Sequence, residues 1–236
     1  MLEELISSGA AEMGIPLTEV SLMVLRRFYD FLEERNRVMD LTAVKGEEDA
    51  ARSHFLDSLA LFPLIPPGAL LADVGSGAGF PGFPIAITRP DVKATLIESM
   101  QKRCEFLRAA AALEAMPPVT VVTARAEEAG QTREHRERYD VVTARAVAKL
   151  HILAELCLPL VKPGGIFIAM KGPGAEEEIA EAKRAVAAMG GGNVQVVNYS
   201  IPGSDRTRCA VVIHKLSATP KQYPRRYAKI VKTPLV

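Results

Sequence analysis

Asp73-Val74-Gly75-Ser76-Gly77-Ala78-Gly79-Phe80-Pro81-Gly82 decides how this chain folds. The apolar run before it, Ala69-Leu70-Leu71-Ala72, reads as a buried strand. Glycines at positions 75, 77 and 79 leave a loop without Cβ atoms, whose backbone can approach a ligand closely. Between a strand and a helix, such a loop aims amide donors and a helix N-terminus into the crevice beyond the strand. The bland alternative is a tight turn with no ligand.

Outward from this loop, strand and helix patterns alternate. Strands are predicted over 70–74, 94–98, 119–123, 140–144 and 166–170. Helices are predicted near 81–87, 100–115, 149–161 and 175–189, with Pro163-Gly164-Gly165 as a turn into the fifth strand. Two last strands, about 194–199 and 208–214, are joined by Pro202-Gly203 and read as a hairpin. Repeated βα units demand a mainly parallel sheet with helices on both faces, here of seven strands ending in an antiparallel hairpin. Residues 1 to about 66 lack strand patterning. They suggest a helix over 18–38 with Thr18 as N-cap and another over 47–62. The expected organisation is a helical N-terminal extension over 1–66, an α/β domain over 67–216, and a basic tail over 217–236.

With 48% apolar and 24% charged residues, the 236-residue composition is that of an ordinary soluble domain. Nothing approaches a membrane span and the start lacks a signal-peptide pattern, so the cytoplasm is the expected location. Cys104, Cys157 and Cys209 are widely spaced and have no CxxC partner, which suggests neither disulfides nor a metal site. The net charge of +1 conceals a segregation. After Asp205 there are no acidic residues but eight Lys and Arg, among them Arg206, Arg208, Arg225 and Arg226. The rest of the chain holds 21 basic against 28 acidic residues. A basic end on an acidic body is the footprint of a polyanion-binding protein; a merely solvated tail is the alternative.

Ligands of parallel sheets bind beyond the carboxyl ends of the strands. That rule singles out Gly75 to Gly79, Glu98, Ala126-Glu127, Arg145 and Lys171. Glu98 ends the second strand, where a carboxylate can accept both ribose hydroxyls of a nucleoside. Asp73 lies under the loop and holds loop amides or faces a cationic ligand. Ala126 and Glu127 follow the third strand, where such folds clamp a purine. Arg145 puts a positive charge at the crevice mouth, suited to a phosphate or a substrate base, with a plain salt bridge as the alternative. Lys171 is a weaker candidate of the same kind.

The GxGxG spacing, with an acid two residues ahead, resembles the S-adenosylmethionine loop of Rossmann-like class I methyltransferases more than a dinucleotide fingerprint. Methyl transfer from a sulfonium needs little acid–base machinery when the acceptor exposes a lone pair, as guanine N7 does. Placement and water exclusion then suffice. There is no Ser-His-Asp set, no paired carboxylates, no Asn-Pro-Pro-Tyr motif and no cysteine placed for cytosine chemistry.

Over about residues 20 to 215 the chain resembles the bacterial small-subunit ribosomal RNA (guanine-N7) methyltransferase G family, also called glucose-inhibited division protein B. The resemblance rests on the loop with its Phe80-Pro81-Gly82 closure, Asn36 with Leu41-Thr42, and His54-Phe55-Leu56-Asp57-Ser58. It rests also on Glu98 with Lys102-Arg103, Glu127, Ala144-Arg145-Ala146 and Met170-Lys171-Gly172. It implies S-adenosylmethionine as cofactor and methylation of guanine 527 in the decoding-centre loop of 16S ribosomal RNA. The substrate would be that RNA, the small subunit or an assembly intermediate, and the enzyme a monomer. Cofactor contacts are implied for Asp73, Gly75, Gly77, Gly79, Phe80, Glu98, Ser99, Met100, Ala126, Glu127 and Arg145. Arg145 and Lys171 are the catalytic candidates; Asn36, His54, Arg206, Arg208, Arg225 and Arg226 are the RNA-binding candidates. The chain departs from the family pattern at Arg35 and Asp40 and keeps only part of the basic, proline-rich tail. Competing readings are a methyltransferase acting on another RNA, a protein or a small molecule, a nicotinamide-dependent oxidoreductase, and a non-catalytic nucleotide-binding module.

Overall fold

The computed structural model describes residues 1–205 and 207–236. Its strands are β1 (Leu70–Val74), β2 (Lys93–Glu98), β3 (Val119–Thr123), β4 (Tyr139–Arg145), β5 (Val161–Lys171), β6 (Gly191–Tyr199) and β7 (Arg208–Lys215). They form one sheet in the order β3-β2-β1-β4-β5-β7-β6. The first five pair in parallel, while β7 runs antiparallel to both β5 and β6. Strand order reverses between β1 and β4, and a crevice opens at such a switch point beyond the strand ends. The apolar stretches are those of strands covered on both faces.

Helices cover the sheet in two groups. On one side lie α1 (Leu2–Glu12), α2 (Glu19–Met39), α5 (Gly82–Thr88) and α6 (Gln101–Ala111). Thr18 caps α2, its hydroxyl accepting from the Ser21 amide at 3.1 Å. The second helix expected in the extension is a composite: α3 (Glu47–Ala50), a wide π turn over Ala51–Leu56, then α4 (Asp57–Leu59). Such wide turns recur at functional sites, and this one carries His54. The rings of Phe28, Phe55, Phe80 and Phe83 pack together, with Phe28 4.9 Å from Phe83 and 5.4 Å from Phe80. Each fully buried ring contributes roughly 1.5–3 kcal/mol through its apolar area, so these contacts fasten the N-terminal helices to the glycine-loop element.

The opposite face carries α8 (Leu150–Cys157) and α9 (Ala175–Ala188), with the short α7 (Ala126–Ala129) and the C-terminal α10 (Tyr227–Lys232) at its border. Two expectations need correction. The helix predicted to reach 161 stops at Cys157, because Pro159 belongs to a tighter turn over Leu158–Leu160. Pro163-Gly164-Gly165 is not a turn before the fifth strand. It lies inside β5, where pairing jumps from Tyr139–Val161 to Val141–Ile166, a bulge that absorbs the extra residues.

The basic tail is also more than a solvated end. Lys215 is fully buried; its Nζ donates to the Leu158 carbonyl at 2.7 Å and to the Thr219 hydroxyl. Burial pushes the Lys215 ammonium down to about 8. Beyond it, the guanidinium of Arg136 donates to the carbonyls of Gly130, Thr219, Pro220 and Tyr223. Ile230 of α10 is buried in the same core as α8.

Candidate nucleoside-binding site

Gly75 has φ +69° and Gly79 φ +91°, which β-carbon-bearing residues rarely adopt. Space is also short at both. A Cβ on Gly75 would lie 2.7 Å from Val147 Cγ2, and one on Gly79 would lie 2.2 Å from Phe83 Cδ2. The loop is fastened from below by Asp73, which is fully buried. Asp73 Oδ2 accepts from the Gly82 amide at 3.2 Å and Oδ1 from the Thr143 hydroxyl at 2.9 Å. Asp73 therefore holds a loop amide, and burial pushes its carboxyl up to about 6. The Phe80–Pro81 peptide that closes the loop is cis.

Glu98 fastens the loop from the side. Its Oε2 accepts from the Gly77 amide at 3.1 Å and its Oε1 from the Met100 amide at 2.8 Å. Only 4% of Glu98 is exposed, so the carboxylate is buried beneath the loop at the end of β2. Beside it lies a cleft of about 220 Å³ walled by Gly75, Ser99, Ala126, Glu127, Val147 and Tyr227. That volume is below the roughly 300–1,000 Å³ of most ligand sites and suits a nucleoside better than a dinucleotide. A larger hollow of about 620 Å³ opens between α2 and α6 around Arg35, Asp40, Lys102 and Glu105. Its walls are mostly surface side chains over the buried Phe106, with no glycine loop, so the smaller cleft is where the chemistry converges.

At the other lip, Arg145 ends β4. Its Nη1 donates to the Ser53 carbonyl at 3.0 Å and to Asp57 Oδ2 at 3.2 Å, and the guanidinium lies 5.3 Å from the centre of the Phe80 ring. Asp57 is almost fully buried and also accepts from the Tyr199 hydroxyl at 3.0 Å and from Arg208 at 3.5 Å. His54 stacks on Phe80 with centroids 4.4 Å apart, and its Nε2 is 2.8 Å from the Thr42 hydroxyl. Burial and the nearby Arg145 cation push His54 down to about 4, so near pH 7 it is a neutral ring. The π turn, β4, β6 and β7 thus meet in one polar cluster beside the loop. No local motif pairs these residues: the partners of Asp57 on β4, β6 and β7 lie 88, 142 and 151 residues away in sequence.

Several candidates have other occupations. Asn36 is engaged within the chain: its amide group donates to the Thr42 carbonyl and accepts from the Leu41 and Thr42 amides at 2.7–2.9 Å. It closes the turn that carries Thr42 to His54. Lys171 Nζ donates to the Ala148 carbonyl at 3.0 Å and to Glu178 at 2.7 Å, holding the loop after β4. Arg225 also departs from an RNA-facing role. It forks onto the buried Glu155 carboxylate of α8 at 2.6 and 2.7 Å, which leaves the fork no free face for a phosphate. Arg208 is tied to Asp57, although its Nε is buried with no hydrogen-bond partner. Arg226 is exposed, and Arg206 lies outside the described residues. Among the described residues no His, Cys, Asp and Glu group is arranged to hold a metal ion, and no helix is long and apolar enough to cross a membrane.

Comparison with known proteins agrees with this geometry. The family model of the rRNA small subunit methyltransferase G matches residues 21–207. A protein named ribosomal RNA small subunit methyltransferase G from Pelotomaculum thermopropionicum is 45% identical over 100% of this chain and 99% of its own length. One of the same name from Acetivibrio thermocellus is 41% identical, over 99% of this chain and 97% of its own. Among solved structures, a predicted O-methyltransferase from Agrobacterium tumefaciens is similar with a TM-score of 0.54. It is 22% identical and the match covers 71% of this chain and 82% of that one, a likeness of fold.

Proposed function

Because the chain belongs to the rRNA small subunit methyltransferase G family, we propose that it transfers a methyl group from S-adenosylmethionine to N7 of a guanine in the decoding-centre loop of 16S ribosomal RNA. The observation that carries this reading is the glycine loop seated on the Glu98 carboxylate, with a nucleoside-sized cleft beside it. The residues present fit the cofactor: a loop that Cβ atoms would crowd, a buried carboxylate that would accept ribose hydroxyls, and Ala126-Glu127 in the cleft wall. When bound, S-adenosylmethionine supplies a methyl group on a cationic sulfur, activated toward any lone pair in line with it.

In this reading Glu98 accepts the ribose hydroxyls, Ser99 and Met100 flank the sugar, and Ala126 with Glu127 read the purine edge. Gly75, Gly77 and Phe80 shape the approach to the reacting carbon. Guanine N7 already carries a lone pair, so no side chain has to remove a proton; the protein holds the base and excludes water. Arg145 is the group we assign to positioning the target nucleotide. Its pairing with Asp57 fixes the guanidinium and offsets its charge beside a base that becomes cationic. An arginine forked onto O6 and N7 would block the acceptor atom, so the contact must go to O6 or to a phosphate. Exposed Arg226, Lys229 and Lys232 are the phosphate contacts we expect on the C-terminal segment.

We take residues 67–216 as the methyltransferase domain, 1–66 as its helical extension and 217–236 as its basic end. The enzyme acts as a cytoplasmic monomer on 16S ribosomal RNA, free or within the small subunit or an assembly intermediate. The test is to incubate undermethylated small subunits, and separately their naked RNA, with the protein and methyl-labelled cofactor, and then map the label. Label at N7 of one guanine in the decoding-centre loop is expected. Label on another atom or in another RNA would refute the assignment.

A further inference from the structure

Tyr227, the first residue of α10, forms part of the cleft wall together with Ser99, Ala126 and Glu127. Core packing does not explain its ring, which is 40% exposed although the rest of α10 is anchored through the buried Ile230. The backbone that presents the ring is strongly fixed. Two residues earlier, the Arg225 amide and guanidinium both donate to Glu155, the neighbour of the cleft residue Leu156. Pro224 packs on Gly130 and its carbonyl accepts from Gln131 Nε2 at 2.8 Å, while the Arg136 guanidinium gathers three carbonyls of residues 219–223. A half-exposed aromatic ring held so firmly at the rim of a nucleoside-sized cleft is placed to cover a base, since every purine offers a π face.

We propose that Tyr227 is a cofactor-contacting residue whose ring covers the adenine of S-adenosylmethionine, so that the segment from Thr219 to Thr233 completes the cofactor site. This rests on the cleft being the cofactor site. Nothing in the motifs around the glycine loop points to it, because the residue comes from the far end of the chain.

The chain has five tyrosines and no tryptophan, so tyrosine emission is not masked. S-adenosylhomocysteine is titrated into the full-length protein, with binding followed both by calorimetry and by tyrosine fluorescence. Wild type should bind saturably with quenching. Tyr227→Phe should bind within about threefold of wild type yet lose the ligand-dependent quench, and it also controls for absorption by adenine. Tyr227→Ala should bind about tenfold more weakly, the size of one base–aromatic stack. A quench that persists in Tyr227→Phe, or wild-type affinity in Tyr227→Ala, overturns the assignment. Because the Phe variant keeps the ring, that first result does not depend on the Ala variant folding. If wild type itself shows no saturable binding, the cleft reading falls, and the inference with it.

Discussion

Replacing Glu98 with Gln separates the two tasks the carboxylate performs. In the structure its two oxygens each accept one backbone N–H, from Gly77 at 3.1 Å and from Met100 at 2.8 Å. A carboxamide has a single oxygen, so in either orientation one of those amides faces an NH2 group and loses its acceptor. Leaving one buried donor unsatisfied costs about 1–3 kcal/mol. For a chain of 236 residues, each kcal/mol moves Tm by roughly 2–4 °C, so a fall of roughly 2–12 °C should appear in thermal denaturation. If the carboxylate also accepts ribose hydroxyls, S-adenosylhomocysteine affinity should fall by about 10- to 100-fold in calorimetry, since 1.4 kcal/mol is a factor of ten. Affinity for RNA should stay within about twofold. A variant that melts earlier but binds S-adenosylhomocysteine like wild type would show that Glu98 only props the loop, and the ribose assignment would be refuted.

His54 and Asp73 make opposing contributions to stability over nearly the same pH range. His54 is pushed from 6.5 down to about 4, so the unfolded chain binds the extra proton and stability rises with pH between those values. Asp73 is pushed from 3.8 up to about 6, so the folded chain binds the extra proton and stability falls as pH rises across that window. Each is worth about 3 kcal/mol. Urea midpoints at pH 4.5 and 6.5 should show His54→Gln losing stability toward higher pH relative to wild type, and Asp73→Asn gaining it; equal profiles for all three would contradict the burial argument. Asp57→Ala leaves Arg145, Arg208 and the Tyr199 hydroxyl without their shared acceptor and should cost about 3–5 kcal/mol in denaturant unfolding; a loss under about 1 kcal/mol would mean the cluster is effectively solvated. Arg226→Ala and Lys229→Ala should each lower the slope of log K against log salt for RNA binding by roughly 0.7–0.9, whereas Arg225→Ala should lower Tm and leave that slope unchanged.

The crevice was legible because local rules fix it. A strand, an alternate-glycine loop and acids at the next strand ends are all short-range signals, and β1 through β4 stand where alternation puts them. The amphipathic stripe behind Thr18 likewise identified α2. What sequence could not show are pairings between distant segments. Arg225 looks like a free cation until Glu155, 70 residues earlier, is folded against it. Asn36 and Lys171 look like free polar groups until Thr42 and Glu178 are folded against them. The Pro163-Gly164-Gly165 stretch has every mark of a turn, and only pairing with β4 and the bulge within it keep it in the strand. The π turn at His54 has no residue signature that sets it apart from an ordinary helix.

The Arg136 clasp bears on how long a bound ligand stays. The segment after β7 contributes no strand to the sheet; it is fastened by hydrogen bonds, among them those from Arg136 and that of the Thr219 amide on Glu137, by the Arg225–Glu155 pair and by Ile230. A piece held this way can lift from α7 and α8 while all seven strands remain paired, opening at a lower free energy than the whole domain. Backbone amides over 219–233 should therefore exchange with solvent hydrogen through their own opening, ahead of those in β1 and β4. A nucleoside covered by Tyr227 would be uncovered at each such event. Its residence time on the enzyme would then be set by the opening rate of a segment that lies outside the sheet.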